Sequence, residues 1–125
     1  MAKVSGLTTA VTVASNVITN DVRGISVDTP YGEQDITGLD KSAVERLLLR
    51  ADCTGSMNGI FNTAATMSHA TLKTPGSKTF VIGYPGATLT FTAVTTNYAV
   101  TMGEDGSLVW SVNFALSSGT AAAWT

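Results

Sequence analysis

Val22-Arg-Gly-Ile-Ser-Val-Asp28, then Thr29-Pro-Tyr-Gly-Glu-Gln-Asp-Ile-Thr-Gly-Leu39, then Leu39-Asp-Lys-Ser-Ala-Val-Glu-Arg-Leu-Leu-Leu-Arg50 is the stretch on which the fold turns. The first run places Val22, Ile25 and Val27 among small or charged residues, which reads as a strand with a bulge at Gly24. The second is polar and broken by Pro30, Gly32 and Gly38, so it reads as a loop; loops this long inside compact domains are functional or disordered. The third reads as a helix over residues 40–49. Asp40 serves as N-cap with Leu39 and Val44 as a hydrophobic staple, and Ser42-x-x-Glu45 is the competing start. Val44, Leu47, Leu48 and Ala51 then fall at i, i+3, i+4 and i+7, with Lys41, Glu45, Arg46 and Arg50 mostly off that stripe. Burying two of its leucines would contribute roughly 3 to 6 kcal/mol before entropy, so this helix is expected to dock on a sheet.

Beyond the helix, Arg50 to Phe61 returns as a strand. Asp52, Thr54, Ser56 and Asn58 point to one side of it and Cys53, Gly55, Met57 and Phe61 to the other, because side chains alternate. Three strand pairs follow from turn chemistry. Thr8 to Ile18 is expected to pair with Val22 to Asp28 across Thr19-Asn20-Asp21. Lys78 to Tyr84 and Thr88 to Val94 flank Pro85-Gly86, which suits the centre of a type II turn. Asn97 to Met102 and Ser107 to Phe114 flank a turn ending in Asp105-Gly106, a hairpin signal. Leu89, Phe91 and Ala93 share one face, with Thr88, Thr90 and Thr92 on the other; Leu108, Trp110, Val112 and Phe114 also share a face. A weaker helix is read from an Asn62 cap to Leu72, stopped by Pro75-Gly76. The sum is a mainly β chain, a sandwich or partly closed barrel with one short flanking helix. Residues 1–125 read as one domain, with a tail at 117–125 that is flexible in composition but ends in the bulky Trp124.

The 125 residues carry 7 Lys+Arg against 9 Asp+Glu, a formal charge of -2, and 44% are hydrophobic while only 13% are charged. So apolar and charge-poor a chain points either to surface that other subunits cover or simply to a Thr-rich β-protein. No basic stripe exists to release phosphate counterions, which argues against a grip on nucleic acid. The opening Met1-Ala-Lys-Val-Ser lacks a secretory leader pattern, and no run reaches the ~20 apolar residues of a membrane span, so a chain made and folded in a cytoplasm is expected.

No catalytic, metal-binding or cofactor-binding residues are assigned. One His (His69) and one Cys (Cys53), with no Gly-x-Ser-x-Gly elbow, do not make a nucleophilic triad. Glu33, Asp35 and Asp40 lack calcium-loop spacing, and a solvated or interface loop explains them better. The glycines include no Gly-Lys-Ser/Thr phosphate loop. Those at 55 and 59 fit bends or close approach of a neighbouring backbone.

The segment from Asp21 to Asn62, with its Asp-Ile-Thr loop, acidic-basic helix containing Glu45-Arg46 and small-residue strand ending in Gly59-Ile-Phe61, resembles the major tail tube proteins of long, non-contractile (siphovirus-type) phage tails. Element order over most of the chain carries the likeness. It implies a structural virion protein of the tail, assembled in the host bacterial cytoplasm, in which hexameric rings stack into a tube for DNA delivery, with no enzymatic turnover and no cofactor. The match at Gly32-Glu-Gln-Asp-Ile-Thr37 implies a ring-stacking loop at 29–39 made by Thr29, Tyr31, Gly32, Glu33, Gln34, Asp35, Ile36 and Thr37. The implied partners are copies of the chain itself and the tail terminator, tape-measure and tail-tip proteins. Asp52, Thr54, Ser56 and Asn58 read by themselves as an ordinary solvent face of a sandwich; by the resemblance they would line a bore through which DNA slides without being held, since they offer phosphate no cation. The alternatives are a capsid decoration or other virion surface protein, the tube protein of a bacterial injection system, and a carbohydrate-binding sandwich.

Overall fold

The structure, a computed structural model, describes residues 5–125; the leader reading at the first residues falls largely outside them. Eleven strands and one short α-helix are described: β1 (Ala10–Val13), β2 (Asn16–Val17), β3 (Val22–Asp28), β4 (Tyr31–Asp35), β5 (Arg46–Ala51), β6 (Thr54–Ile60), α1 (Ser68–Leu72), β7 (Gly76–Tyr84), β8 (Ala87–Thr95), β9 (Ala99–Met102), β10 (Leu108–Leu116) and β11 (Ala123–Trp124). The main sheet runs β2-β1-β7-β8-β10-β6-β3, with β11 added to β8 and β9 to β10, while β4 and β5 form a separate two-stranded sheet.

β8 and β10 pair only from Phe114↔Thr95 to Leu116↔Ala93. Further along they part, β8 taking up β11 at Thr90↔Ala123 and β10 taking up β9 at Val109↔Thr101. The sheet therefore folds at that corner into two leaves, β2-β1-β7-β8-β11 and β9-β10-β6-β3. Between them lie Phe80, Phe91 and Phe114, with ring centroids 4.9 to 5.4 Å apart. Val13, Ile82, Leu89, Met57, Trp110 and Val112 fill the rest, all buried. This is the mainly β architecture, sandwich or partly closed barrel, that the alternation predicts. The Pro85-Gly86 and Asp105-Gly106 hairpins form as read, with Gly86 and Gly106 at φ 87° and 88°, where L side chains strain.

Three expectations are overturned, one of them the single strand over Arg50 to Phe61, which is split between β5 and β6 at Asp52-Cys53. Thr8 to Ile18 does not pair with Val22 to Asp28: β1 pairs with β7 and doubles back on β2, while β3 pairs with β6. The cause is a tight turn at Ala14-Ser15, both at positive φ (51° and 68°), which the Ala-Ser dipeptide does not announce. Thr19–Asp21 is a 3₁₀ turn that sends Asp21 inward instead of closing a hairpin.

Residues 40–49 are not a helix. The supposed loop supplies β4, and β5 pairs with it at Glu33↔Leu48, Gln34↔Leu47 and Asp35↔Arg46. Val44, Leu47 and Leu48, read as a buried stripe, are 57%, 50% and 68% exposed. None of the three belongs to the buried cluster, and cross-strand pairing with β4 satisfies the backbones of both segments instead. The short helix lies at Ser68–Leu72, inside the weaker of the two helical readings.

Asp21 holds that helix. It is buried, and its carboxylate accepts hydrogen bonds from Asn62 Nδ2 and from the Ser68 amide, each at 3.0 Å. Asp21→Ala strands both donors and is expected to cost about 3 kcal/mol, read as a lower urea midpoint at unchanged slope. Asp21→Asn should recover part of the loss.

Candidate functional site

Two surfaces stand out, one on the β9-β10-β6-β3 leaf and one on the β4–β5 hairpin. Cross-strand partners share a face, so the register defines what the leaf turns away from the core. Ser26, Ser56 and Asn113 form one row, Asp28, Thr54 and Ala115 the next. Asn58, Ser111 and Ala99 form a third, beside Gly24, and the exposed Ile60, Val109 and Thr101 a fourth. Three of the four residues read as bore-lining, Thr54, Ser56 and Asn58, thus lie on one side of β6 with Met57 buried on the other. Asp52 precedes the strand, and its Oδ1 accepts from the Cys53 amide at 2.8 Å. Ser26, Ser111 and Asn113 were missed by the sequence reading, although the same alternation exposes them. The paired outward positions carry one carboxylate, Asp28, and no Lys or Arg; Arg23 sits exposed on the bulge between Val22 and Gly24.

The glycines read as close approaches are that. A Cβ on Gly55 would strike the Ser26 carbonyl oxygen and the Phe114 ring, and one on Gly59 would strike the Asp21 carbonyl oxygen. The outer edges of β3 and β9 have no strand partner among the described residues, so the leaf ends in two open edges.

The hairpin carries all of the predicted loop residues from Tyr31 to Thr37, with Thr29 just before it. One face offers Gln34 and Leu47, and beyond them Gly32 lies against the bulge formed by Leu49 and Arg50. The other offers Glu33, Asp35, Arg46 and Leu48, with a 3.6 Å Glu33–Arg46 ion pair that is too exposed to contribute much. Leu47 and Leu49 remain about half exposed, at 50% and 47%. At the turn, Asp35 Oδ1 accepts from the Thr37 hydroxyl at 2.6 Å and the Thr37 amide at 2.9 Å, and the Glu45 amide donates to Thr37 Oγ1 at 2.7 Å. The Thr37 hydroxyl first, then its amide, hold the Asp35 carboxyl below its ordinary value. A lowered carboxyl pKa means that this brace is present above the unfolded value and is lost as pH falls through the folded one. A two-stranded hairpin is marginal alone in water.

His69 and Cys53 serve packing. The His69 ring lies 4.9 Å from Phe61, and its Nδ1 is 3.1 Å from the Tyr98 hydroxyl. Cys53 is fully buried, and burial, then Asp52 and Asp28, push its thiol up and away from the reactive thiolate. Among the described residues no three metal-ligating side chains come together, and no helix is long and apolar enough to cross a membrane.

No family profile and no curated protein sequence matches the chain. Solved structures do. A chain of the virion of a native gene transfer agent particle superposes with a TM-score of 0.79 at 16% identity, covering 98% of this chain and 99% of that one. A chain from the tail of an empty gene transfer agent particle, refined with C6 symmetry, gives 0.69 at 18% identity over 87% and 86%. A chain of the sixfold-symmetrised anti-feeding prophage baseplate gives 0.62 at 13% identity over 100% and 96%. The fold of this chain is therefore that of virion tail and baseplate proteins.

Proposed function

We propose that this chain is a non-enzymatic structural subunit of a phage-tail-like tube, in which copies join side by side into rings, rings stack, and the β9-β10-β6-β3 leaf faces the bore. The observation that carries this reading is that leaf. It is a mostly small, polar face without a paired cation, with Ile60 and Val109 exposed at one end, and it is bounded by two open strand edges that a neighbouring copy can complete. Shared fold with chains of sixfold particles supports a ring of six. In this reading the hairpin, from Thr29 to Thr37 and on through β5, makes the ring-to-ring contact. The tail terminator, tape-measure and tail-tip proteins of a siphovirus-type virion assembled in a bacterial cytoplasm are the matching partners. The likeness to a baseplate chain favours a second reading, a ring of a bacterial injection machine.

Negative-stain microscopy of the concentrated protein, alone and with a tail-tip template, tests the proposal. Hollow rods or rings are expected; a monomer under every condition would sink it. The bore assignment has its own test. Ser56→Lys with Asn58→Lys adds two ammonium groups per subunit beside a passing polyanion, and each neutralised phosphate strengthens the hold. Tubes should form, and DNA passage should slow in low salt and recover as salt rises. Wild-type ejection in low salt would turn this leaf outward and move the bore to the Thr88, Thr90 and Thr92 face.

A further inference from the structure

The two leaves are bonded at the β8–β10 corner and lie open on the opposite flank, where β1 and β3 face each other without pairing. A groove of about 540 Å³ opens there. Its apolar lining comes from Leu7, Val11, Val22, Ile25 and Tyr84, and Arg23 is its one charged residue. Leu7 is 93% exposed, and Val22 and Ile25 are half-buried extensions of the core, so this flank presents core-like surface to the outside.

The same chain carries an apolar projection, Leu47 and Leu49 on the hairpin, each about half exposed. Groove and hairpin meet β3 at different places. The groove is lined by its Val22 to Ile25 half and the hairpin leaves after Asp28, roughly 10 Å beyond Ile25 at ~3.3 Å per residue. A hairpin that departs from the far end of the strand is placed to reach the groove of a second copy. Charge agrees with this pairing: the hairpin tip from Asp35 to Glu45 holds Asp35, Asp40 and Glu45 against Lys41 alone, while the groove holds Arg23 and no carboxylate.

We infer that the groove between β1 and β3 is the seat for the hairpin of a second copy, with Leu47 and Leu49 inserted against Val22, Ile25 and Tyr84 and the acidic tip beside Arg23. A projection at one place fitting a depression at another is a heterologous contact, which repeats without limit along an axis unless a rotation closes it. It is the geometry that stacking requires, and the inference rests on the tube reading while adding the surface that receives the hairpin.

Two measurements test it. Leu47→Cys combined with Asn20→Cys places thiols on the hairpin and on the groove rim, both exposed positions, while Cys53 stays buried and out of the reaction. Oxidising the assembled protein should give a ladder of disulfide-linked dimers and longer chains on a non-reducing gel. Arg23→Glu, on the exposed bulge, should raise the concentration needed for assembly roughly tenfold, and Asp40→Lys with Glu45→Lys should restore it. Tubes that form normally from Arg23→Glu and yield no ladder, or a link within one chain, would overturn the groove as the seat and leave the tube reading standing. Wild-type protein that never assembles would bring down both.

Discussion

Gly59→Val is expected to abolish the folded state. Gly59 sits in the middle of the second leaf, on β6 between β10 and β3, with its missing side chain directed inward against the Asp21 carbonyl oxygen and 2.9 Å from Trp110 Cζ2. Neither obstacle can yield cheaply. Trp110 is buried and its Nε1 donates to the Ile60 carbonyl at 2.9 Å, so moving the ring breaks a bond one residue away. Moving the Asp21 backbone withdraws the carboxylate that holds Asn62 and the start of α1. The clash therefore spreads to β3, β10 and the helix together, a loss above about 4 kcal/mol in a protein whose whole stability is on the order of 5 to 15. Circular dichroism and urea titration read it directly. Gly106→Ala is the contrast: no atom lies within 4 Å of a Cβ there, and only the positive φ of 88° is strained. It should cost about 1 to 2 kcal/mol and leave the domain folded. A Gly59→Val chain that melts near wild type would mean that β3 does not lie against β6.

Replacing Leu47, Leu48 and Leu49 together with Ser is expected to leave the fold intact and remove assembly. The three leucines are 50%, 68% and 47% exposed, and none belongs to the buried cluster around Phe80, Phe91 and Phe114. Had they formed the buried stripe of a docked helix, each truncation would cost about 2 to 5 kcal/mol and the triple variant would not fold. On a hairpin that waits for a neighbour the cost appears only when copies meet. The thermal midpoint should stay within a few degrees of wild type while rods vanish from micrographs at concentrations where wild type fills the grid. A midpoint lowered by more than about 10 °C would return these leucines to the core.

The hairpin region shows where sequence reading stops. Leu47, Leu48 and Leu49 form an unbroken apolar triplet, which helical and strand periods fit equally well over so few residues. The decision depends on whether a partner strand is at hand, and Tyr31 to Asp35, polar enough to pass for loop, is that partner. The polar face of the second leaf was more legible: strict alternation from Thr54 to Asn58 separates its outward residues from buried Met57 without any knowledge of neighbours. What alternation could not show was that Ser26, Ser111 and Asn113 stand beside them, because those rows are made by pairing across long stretches of chain.

By itself the sequence determined the mainly β architecture, the two Gly-turned hairpins and the inward faces of β8 and β10. These follow from local chemistry: period-two apolar patterning, and φ values that glycine reaches most easily. Tertiary structure alone decided that β1 turns back at Ala14-Ser15, that β3 lies beside β6, that residues 40–49 are not helical, and that a groove opens between β1 and β3. Each of those depends on which segment reaches a given backbone edge or core space first, and a residue's own propensity is weaker than the pairing and burial that it gains there.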